Sequence, residues 1–362
     1  MNLHTSRPRL SIVVVNRRRE RFVAHAIESA LAQTLRHDTP EALEILIVDA
    51  GSRDGSLAAI RRHAPQLPLI ALDDDSEAAA MNAGFAAARG ELIVFLESED
   101  WLHPEAAAEV LAAWRPGVSK VQFRLDLVDA DDRPLGRLLP RDLHGGAQAL
   151  ALLREFGAYG SPPCSGNAFH RDYLARVLPL DEAPWHDGAD TVPILLAPAC
   201  GEVRSIPVAL GACRSGGEDE LLAVGRHGSL ADACRRIDQG KQALSSALER
   251  LGIAHRRPAG LAPWEARTLV LGLRFGGAPA GLPRRRTVVR VLRSVLRWPG
   301  LAPARRLLML GWMVAVLLLP DTPARRIARL HRRESGTVAD PGREPDSSPA
   351  AQHRLARLLR RL

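Results

Sequence analysis

Acidic side chains follow two of the short apolar segments in the N-terminal third of the sequence. The segment Glu44–Val48 leads into Asp49-Ala50-Gly51-Ser52, and the segment Glu91–Leu96 leads into Glu97-Ser98-Glu99-Asp100. Carboxylate oxygens are suitable ligands for Mg²⁺ and Mn²⁺. The residues therefore favour a cation that bridges carboxylates to phosphate, and they disfavour a simple phosphate-binding loop.

These acidic turns must be positioned by the elements around them, and the first 115 residues alternate between strand-like and helix-like segments. Short apolar segments that predict buried strands are Leu10–Val15, Glu44–Val48, Leu67–Leu72 and Glu91–Leu96. Segments with helical spacing of apolar residues are Arg21–Gln33, Ser56–His63, Glu77–Arg89 and Pro104–Trp114. This alternation predicts a parallel sheet with helices on both faces, and ligands that bind beyond the carboxyl ends of its strands.

The rest of the sequence is less regular. It predicts a strand at Ser119–Val128, a loop at Gly157–Asn167, a helix at Asp190–Ala199 and a strand at Glu202–Leu210. Residues 218–252 predict a pair of helices, and residues 335–352 are polar enough to predict disorder. We expect three regions: a catalytic domain at 1–217, a helical and basic region at 218–334, and a polar linker with a short basic helix at 335–362.

Composition excludes several classes of protein. Of the 362 residues, 46% are hydrophobic and 25% are charged, unlike a disordered, collagen-like or polytopic membrane protein. The four cysteines include no CxxC pair, so the sequence supports neither a zinc site nor a disulfide scaffold. The net charge of +8 is unevenly distributed, with 18 arginines and 5 acidic residues from Leu282 onward. Such a basic region attracts phosphate, on lipid headgroups or on nucleic acid.

Several short motifs, in order from residue 10 to about residue 215, carry a resemblance to a known family. They are SIVVV (11–15), AIESALAQ (26–33), IVDAGSRDGS (47–56), AMNAG (80–84), FLESEDWLHP (95–104), SPPCSGNAF (161–169) and GADT (188–191). The chain resembles family 2 inverting glycosyltransferases, in particular bacterial ones linked to polysaccharide assembly. The resemblance implies a GT-A fold, which is an α/β fold with a Rossmann-like, mostly parallel central sheet flanked by helices, here with a helical C-terminal extension.

The resemblance also implies roles for individual residues. The carboxylates that would bind Mg or Mn are Glu97, Glu99 and Asp100. The residues that would bind a nucleotide-sugar donor are Asp49, Gly51, Ser52, Asn82 and Glu97. Those that would bind the acceptor are Ser165, Gly166 and Asn167. The base that deprotonates the acceptor hydroxyl would be Asp190, with Asp187 as the alternative.

Each of these assignments has a structural alternative. Asp49 could merely cap its turn, and Asp190 could be the N-cap of the following helix. The acidic turn at 97–100 could be exposed and cap the helix at 104, and Ser165 and Asn167 could only shape a tight loop. Arg17-Arg18-Arg19, after the first strand, is expected to be surface charge, with approach to donor phosphates as the alternative.

The sequence also departs from the family pattern. Both aspartates of the metal motif are glutamates here, and Ala79 stands where an aspartate is usual. A motif that normally ends in histidine is Cys213-Arg214-Ser215-Gly216, without the histidine. These departures weaken metal and nucleotide binding, and they leave a catalytically silent relative as the alternative to an enzyme.

The strongest apolar segment is Leu307–Pro320, which contains 14 residues without charge. As a helix it would be about 21 Å long, too short to cross about 30 Å of hydrocarbon. Arginine pairs precede and follow it, and Trp298 and Trp312 lie nearby, which favours a helix in the membrane surface. The alternative is a helix docked in the protein's own core or on a partner. No nucleic-acid-binding motif accompanies the arginines, so we expect no nucleic-acid partner.

The expected function is metal-assisted, inverting transfer of a sugar from a nucleotide-sugar donor to a saccharide or lipid-linked acceptor, in cell-surface polysaccharide or glycan synthesis. No secretory signal is recognisable, because the first apolar segment is short and its arginines follow it. We expect a cytoplasmic protein, peripheral at the inner face of the bacterial plasma membrane. The alternative is a silent relative that binds saccharide or scaffolds an assembly complex.

Overall fold

The computed structural model describes residues 7–182, 185, 188–214, 230–276 and 284–334. Within these residues, nine strands form one mixed sheet: β1 (Leu10–Asn16), β2 (Leu43–Ala50), β3 (Leu69–Leu72), β4 (Leu92–Glu97), β5 (Trp101–Leu102), β6 (Val118–Val128), β7 (Pro134–Leu139), β8 (Asn167–His170) and β9 (Glu202–Arg214). The described helices are α1 (Val23–Leu31), α2 (Thr34–Asp38), α3 (Ser56–His63), α4 (Glu77–Ala87), α5 (Ala106–Ala113), α6 (Gly146–Phe156), α7 (Arg171–Val177), α8 (Thr191–Cys200), α9 (Leu230–Arg250), α10 (Pro263–Phe275), α11 (Arg284–Arg297), α12 (Pro303–Leu318) and α13 (Asp321–Glu334).

The sheet confirms the predicted α/β architecture. Its strand order is β3-β2-β1-β4-β8-β6-β9-β5, with β7 paired to β6. Strands β1 to β4 run parallel to one another, and β8 is antiparallel to both β4 and β6. Asn16 at the end of β1 lies opposite Asp49 of β2, and Val15 lies opposite Glu97 of β4. The two acidic turns therefore flank the end of β1, at one edge of the sheet.

Helices cover both faces of the sheet, as the alternation predicted. Side chains alternate between the faces of a strand, so Ile12 and Val14 enter one apolar cluster and Val13 enters the other. Helices α1, α3 and α5 cover the first face, whereas α4, α6, α7 and α8 cover the second. Burial on both faces explains why β1 is an unbroken apolar segment instead of an alternating one.

Helices α9 to α12 extend the core on the second face. Trp298 is 1% exposed, and its ring lies 4.9 Å from the ring of Phe156 in α6. Lys241 in α9 donates a hydrogen bond to the Phe156 carbonyl at 2.6 Å and pairs with Glu265 at 3.0 Å. The predicted domain boundary at residue 217 lies outside the described residues, and the division into three regions stays a prediction.

The apolar segment at 307–320 forms most of α12. One face of this helix is buried in the core through Met309, Trp312, Met313 and Val316. Leu307, Leu308 and Leu318 are exposed by 70%, 62% and 78%. Docking in the protein's own core thus accounts for one face of α12 only. In the parts of the chain that the structure describes, no helix combines the length and the apolar character needed to cross a membrane.

The structure differs from the predicted elements in several places. Strands β5, β7 and β8 and helices α2 and α6 were not predicted; β5 is only two residues long, and β7 contains both Pro134 and Gly136, which obscure a strand pattern. The strand predicted to end at Leu210 continues to Arg214. Of the helix pair predicted at 218–252, the structure describes one helix, α9. The rest of that pair, and the predicted disorder at 335–352, lie outside the described residues.

Gly84 allows α4 to lie close to β1. A Cβ atom on Gly84 would come within 2.7 Å of the Val13 Cγ1 atom. We expect Gly84→Ala to lower the free energy of unfolding by about 1–3 kcal/mol, because overpacking strains a close-packed core.

Gly240 in α9 is the matched control, since nothing lies within 4 Å of the position that its Cβ would take. Gly240→Ala should raise the free energy of unfolding by about 0.5–1 kcal/mol, because alanine is the better helix former. Urea unfolding followed by circular dichroism measures both variants. A Gly84 variant as stable as the Gly240 variant would contradict the close approach of α4 to β1.

Candidate active site

The turn after β2 is held by hydrogen bonds within the protein. The Asn16 side chain donates to Asp49 Oδ1 at 2.6 Å and to Ser52 Oγ at 3.0 Å, and the Ser52 backbone N–H donates to Asp49 Oδ2 at 3.1 Å. Gly51 has a φ of +55°, which suits glycine. Asp49 therefore caps its turn, the structural alternative that the sequence left open. A direct contact of Asp49, Gly51 or Ser52 with a donor stays a prediction.

Asp100 joins three segments that are distant in the sequence. Its Oδ2 atom accepts a hydrogen bond from Ser165 Oγ at 2.7 Å, and its Oδ1 atom accepts from the Arg214 backbone N–H at 3.0 Å. Ser165 Oγ also accepts from the Glu97 backbone N–H at 3.1 Å. The end of β4, the turn at 164–166 and the end of β9 are thereby fixed against each other around a carboxylate that is 1% exposed.

Glu99 is bound by arginine. Its Oε2 and Oε1 atoms accept from Nε and Nη2 of Arg19 at 2.7 and 3.2 Å, a two-bond geometry that is among the stronger ion pairs. Arg214 Nε donates to the Glu99 backbone carbonyl at 3.1 Å. The Arg214 guanidinium lies 4.2 Å from the ring centre of Phe22 and 5.1 Å from that of Trp101. The acidic turn after β4 is therefore enclosed by positive charge.

Two of the three residues predicted to bind Mg or Mn, Glu99 and Asp100, are poorly placed for a metal in this arrangement, and the predicted metal role of Glu97 stays a prediction. A divalent cation at Glu99 would share that carboxylate with the positive charge of the Arg19 guanidinium, and a cation at Asp100 would have to reach a side chain that is only 1% exposed. Among the described residues, no three or more His, Cys, Asp or Glu side chains are grouped so that they could hold a metal ion. The cations that the structure places beside these carboxylates are guanidinium groups.

The three arginines after β1 lie at this edge of the sheet. Arg18 and Arg17 contact Asp75 at 2.6 and 3.8 Å. The Arg18 backbone N–H donates to Ser52 Oγ at 2.9 Å, and its φ of +56° is costly for a residue other than glycine. Surface charge was the favoured interpretation of these arginines. Their position directly after the first parallel strand was the signal that could have placed them at the site.

The loop residues predicted to bind the acceptor are buried. Asn167 is fully buried; its Oδ1 atom accepts from Lys120 Nζ at 2.7 Å, and its side-chain amide donates to the Pro163 carbonyl at 2.7 Å. A Cβ on Gly166 would lie 2.6 Å from a side-chain atom of Pro162. The contacts of Ser165, Gly166 and Asn167 thus shape the loop, the second alternative that the sequence left open. Contact with an acceptor stays a prediction.

Four carboxylates converge on the turn at 164–166. Burial raises the pKa of the Cys164 thiol, and the negative charges of Asp190, Glu97, Glu77 and Asp100 raise this pKa further. Burial also lowers the pKa of the Lys120 ammonium, and Asp190 opposes this shift. Asp190 is thus near enough to Cys164 and to Lys120, which lies at the start of β6, to influence the pKa of both; its role as the base stays a prediction. Glu77 and Lys120 were not predicted as members of the site.

Asp190 is the N-cap residue of α8, the position that the structural alternative gave it. Its side chain, however, makes no capping hydrogen bond to the helix, so capping does not account for the carboxylate. Glu77, at the start of α4, instead holds the turn: its Oε2 atom accepts from the Gly188 N–H at 2.7 Å and its Oε1 atom from the Asp190 N–H at 3.4 Å. The alternative base, Asp187, lies outside the described residues.

Asn82 tethers the chain segment that leads to Asp190. Its side-chain amide donates to the Leu180 carbonyl at 2.9 Å, and its Oδ1 atom accepts from the Leu180 N–H at 2.8 Å. Both polar atoms of the side chain are therefore used by one backbone position. This contact gives Asn82 a positioning role, and its predicted contact with a donor stays a prediction.

Two buried oxygen atoms at the strand ends have no hydrogen-bond partner among the described residues. They are Asn16 Oδ1, after β1, and Ser98 Oγ, after β4; both side chains are at most 1% exposed. Unpaired buried polar atoms are uncommon in folded proteins. Both are therefore candidates for contact with a ligand, and neither was predicted from the sequence.

Comparisons with known proteins give the family. The family model described as glycosyl transferase family 2 matches residues 11–177. An uncharacterized glycosyltransferase of Nostoc is 30% identical over 261 residues, which span 68% of this chain and 78% of that protein. The chain belongs to glycosyl transferase family 2, as the motifs implied.

Other similar proteins are matched over a smaller share of their length or at lower sequence identity. The succinoglycan biosynthesis protein ExoO of Rhizobium meliloti is 34% identical over 131 residues, 35% of this chain and 36% of that protein. A solved mannosyltransferase from Pyrobaculum calidifontis, in complex with GDP-Man and Mn²⁺, is 19% identical. That similarity covers 90% of this chain and 84% of the other, with a TM-score of 0.46.

The junction at Asp100 depends on one hydroxyl group. We expect Ser165→Ala to lower the free energy of unfolding by about 1–3 kcal/mol, because the buried Asp100 carboxylate loses one of its donors and the Glu97 N–H loses the hydroxyl that accepts from it. Ser246→Ala, on the exposed side of α9, is the control and should change stability by less than about 0.5 kcal/mol. Denaturant unfolding measures both, and equal stability of the two variants would refute the junction.

Proposed function

We propose that the protein transfers a sugar from a nucleotide-sugar donor to a hydroxyl group of a saccharide or lipid-linked acceptor, in the assembly of a cell-surface polysaccharide. Membership of glycosyl transferase family 2 supports the reaction class. The likeness to a succinoglycan biosynthesis protein supports the polysaccharide context. The observation that carries the proposal is geometric: Asn16 lies opposite Asp49 and Val15 opposite Glu97, which brings the acidic turns after β2 and β4 to one carboxyl edge of the parallel strands. Asp190 is near enough to this edge to influence the pKa of Cys164 together with Glu97 and Asp100.

The reaction requires one base and one leaving group. The acceptor oxygen attacks the anomeric carbon, and the bond from that carbon to the donor phosphate oxygen breaks on the opposite side. The acceptor proton passes to the Asp190 carboxylate, and the nucleoside diphosphate leaves with the bonding electron pair. A single displacement of this kind inverts the configuration at the anomeric carbon.

The donor would bind across the ends of β1 and β4. Asn16 Oδ1 and Ser98 Oγ, which have no partner among the described residues, supply acceptors at these two strand ends. Glu97 follows in the same turn, and Asn82 keeps the segment before Asp190 attached to α4. In this arrangement the hydrogen-bonded turn at Asp49 would position the residues that contact the donor.

A catalytically silent relative is the second candidate. It is favoured by one observation: the carboxylates of Asp49 and Asp100 each accept two hydrogen bonds from the protein itself. A protein of this kind would bind saccharide or scaffold an assembly complex, without turnover of a nucleotide sugar.

Asp190→Asn separates the two candidates. For an enzyme, the variant should keep donor binding and lose about 10²–10⁴-fold in turnover, because only the general base is removed. Binding is measured as thermal stabilisation by UDP, GDP, ADP or dTDP, since a ligand of the folded state raises its stability. Turnover is measured as release of the nucleoside diphosphate from the matching sugar donor, with water as acceptor.

Asp172→Asn, on the exposed side of α7, is the control and should retain both properties. No stabilisation by any of the four nucleotides at millimolar concentration would favour the silent relative. Unchanged turnover in the Asp190 variant would remove Asp190 as the base.

We also propose that the C-terminal helices dock on an anionic lipid surface, at the cytoplasmic face of the bacterial plasma membrane. The exposed residues of α11 include Arg284, Arg285, Arg286, Arg293 and Arg297, with Val289 and Leu296 among them. A groove of about 510 Å³ lies between this helix and the end of α6. Exposed leucines of α12 add an apolar contact, and basic side chains beside apolar ones suit a headgroup interface.

Sedimentation with vesicles tests the lipid contact. The protein should bind phosphatidylglycerol vesicles more strongly than phosphatidylcholine vesicles, and added salt should weaken the binding. Replacing Leu307 and Leu308 by Gln should reduce binding about tenfold or more, because their apolar contact with lipid is lost. The control pair, Leu135→Gln with Val208→Gln, removes exposed apolar side chains of β7 and β9 and should bind as the wild type does. Equal binding to both lipids would contradict the proposal.

A further inference from the structure

We propose that arginine takes the place of a divalent cation at this site, with Arg19 as the group that contacts and neutralises the diphosphate of the donor. The inference rests on the proposed function, because it concerns the leaving group of that reaction. It assigns to Arg19 a diphosphate-binding role, and to Arg214 a positioning role.

The first observation is the state of Glu99. Both of its carboxylate oxygens accept hydrogen bonds from the Arg19 guanidinium, which still leaves the Arg19 side chain 40% exposed. A guanidinium is planar, so the two hydrogen bonds to Glu99 fix its orientation. Arg19 is thus oriented by Glu99 and reaches solvent at the carboxyl edge of the sheet, where the proposed donor would bind.

The second observation is the state of Asp100. Its oxygens hold Ser165 and the Arg214 backbone, and Asp100 is 1% exposed. A hydrated metal could reach Asp100 only if the packing around the junction between β4 and β9 opened, because the carboxylate is buried among its donors. The acidic turn therefore binds arginine: Glu99 and Asp100 accept hydrogen bonds from Arg19 and Arg214.

The third observation is the conformation of the arginine turn. Among the described residues other than glycine, only Arg18 and Asp132 have positive φ angles, +56° and +65°. Asp132 lies in the turn between β6 and β7 and accepts a hydrogen bond from Arg214, whereas Arg18 follows β1 and pairs with Asp75. Backbone strain of this kind persists where the surrounding contacts enforce it, and it is frequent at ligand sites.

Arg214 positions the acidic turn from the other side. Its side chain is 5% exposed, lies over the rings of Phe22 and Trp101, and donates to the Glu99 carbonyl. Burial lowers the pKa of the Arg214 guanidinium, and the charge of Asp100 opposes this shift. Arg214 thus fixes the backbone of Glu99, while Glu99 orients Arg19.

The chemical consequence concerns the bond that breaks. When the anomeric carbon separates from the phosphate oxygen, negative charge develops on the diphosphate. A guanidinium can donate two parallel hydrogen bonds to phosphate and needs no change of protonation to do so. Arg19 would supply this stabilisation, and Asp190 would still receive the acceptor proton.

Calorimetric titration with UDP, GDP, ADP and dTDP tests the inference, each in EDTA and again with Mn²⁺. We expect one nucleoside diphosphate to bind in EDTA with an affinity that Mn²⁺ changes less than about threefold. Arg19→Ala should weaken this binding about 10- to 100-fold, because a charge-assisted contact to phosphate is lost. Binding of the corresponding nucleoside should stay the same, which a general loss of structure would not allow.

Arg21→Ala is the matched control. Arg21 is a neighbouring arginine whose side chain is 66% exposed and pairs with Asp131, and its loss should leave affinity unchanged. Glu99→Gln is the second test. If Arg19 is the cation, Glu99→Gln should weaken binding less than Arg19→Ala does; if Glu99 holds a metal, this order should be reversed.

Three results would overturn the inference. Binding that occurs only with Mn²⁺, or a larger loss in Glu99→Gln than in Arg19→Ala, would restore the metal and leave the glycosyl transfer proposal standing. Equal losses in Arg19→Ala and Arg21→Ala would show a general charge effect. No binding of any nucleotide in either condition would reject the proposed function, and the inference with it.

Discussion

The hydrogen bonds to Asp100 are the contacts on which the rest of the site depends. A buried carboxylate is tolerated only where donors surround it, and here the donors come from Ser165 and from the Arg214 backbone. They tie the end of β4 to the turn at 164–166 and to the last residue of β9. Glu97 and Glu99 adjoin this anchored residue, so their positions follow from it. The same requirement explains why Ser165 lies inside the protein: its hydroxyl is needed there.

The sequence was sufficient for the sheet and for the edge where the site lies. Apolar segments that end in acidic turns predict parallel strands with carboxylates at one edge, and the pairing of Val15 with Glu97 agrees. The partners of those carboxylates could not be predicted. Arg19 and Glu99 are 80 residues apart, and Asn82 and Leu180 are 98 apart. Residue types do not specify which way a side chain points after a strand ends, so Arg19 was interpreted as surface charge. The resemblance supplied Asp190 but gave no indication that Glu77 holds its turn.

The departures from the family pattern are physically related. A glutamate at position 99 is one methylene longer than the usual aspartate, and both of its carboxylate oxygens accept hydrogen bonds from the Arg19 guanidinium. Arg214 encloses the same turn from β9, beyond which the usual histidine is missing. Each substitution, taken alone, suggests that a metal site has lost one of its ligands. Together they leave a set of mutually paired charges, and the cation that we propose for this edge of the sheet is a guanidinium.

The contact between α6 and the C-terminal helices limits how this protein could be recombined with its relatives. The ring of Phe156 packs against Trp298, and its carbonyl accepts a hydrogen bond from Lys241. Helix α6 therefore makes both an apolar and a polar contact with the C-terminal helices. Gly157, directly after it, has a φ of +67°, and a Cβ there would lie 3.1 Å from Pro258. A C-terminal region exchanged between two family members would therefore have to bring its own α6 surface. The sheet region and the basic C-terminal helices are therefore coupled through α6. We expect substitutions in these two parts of the chain to evolve together.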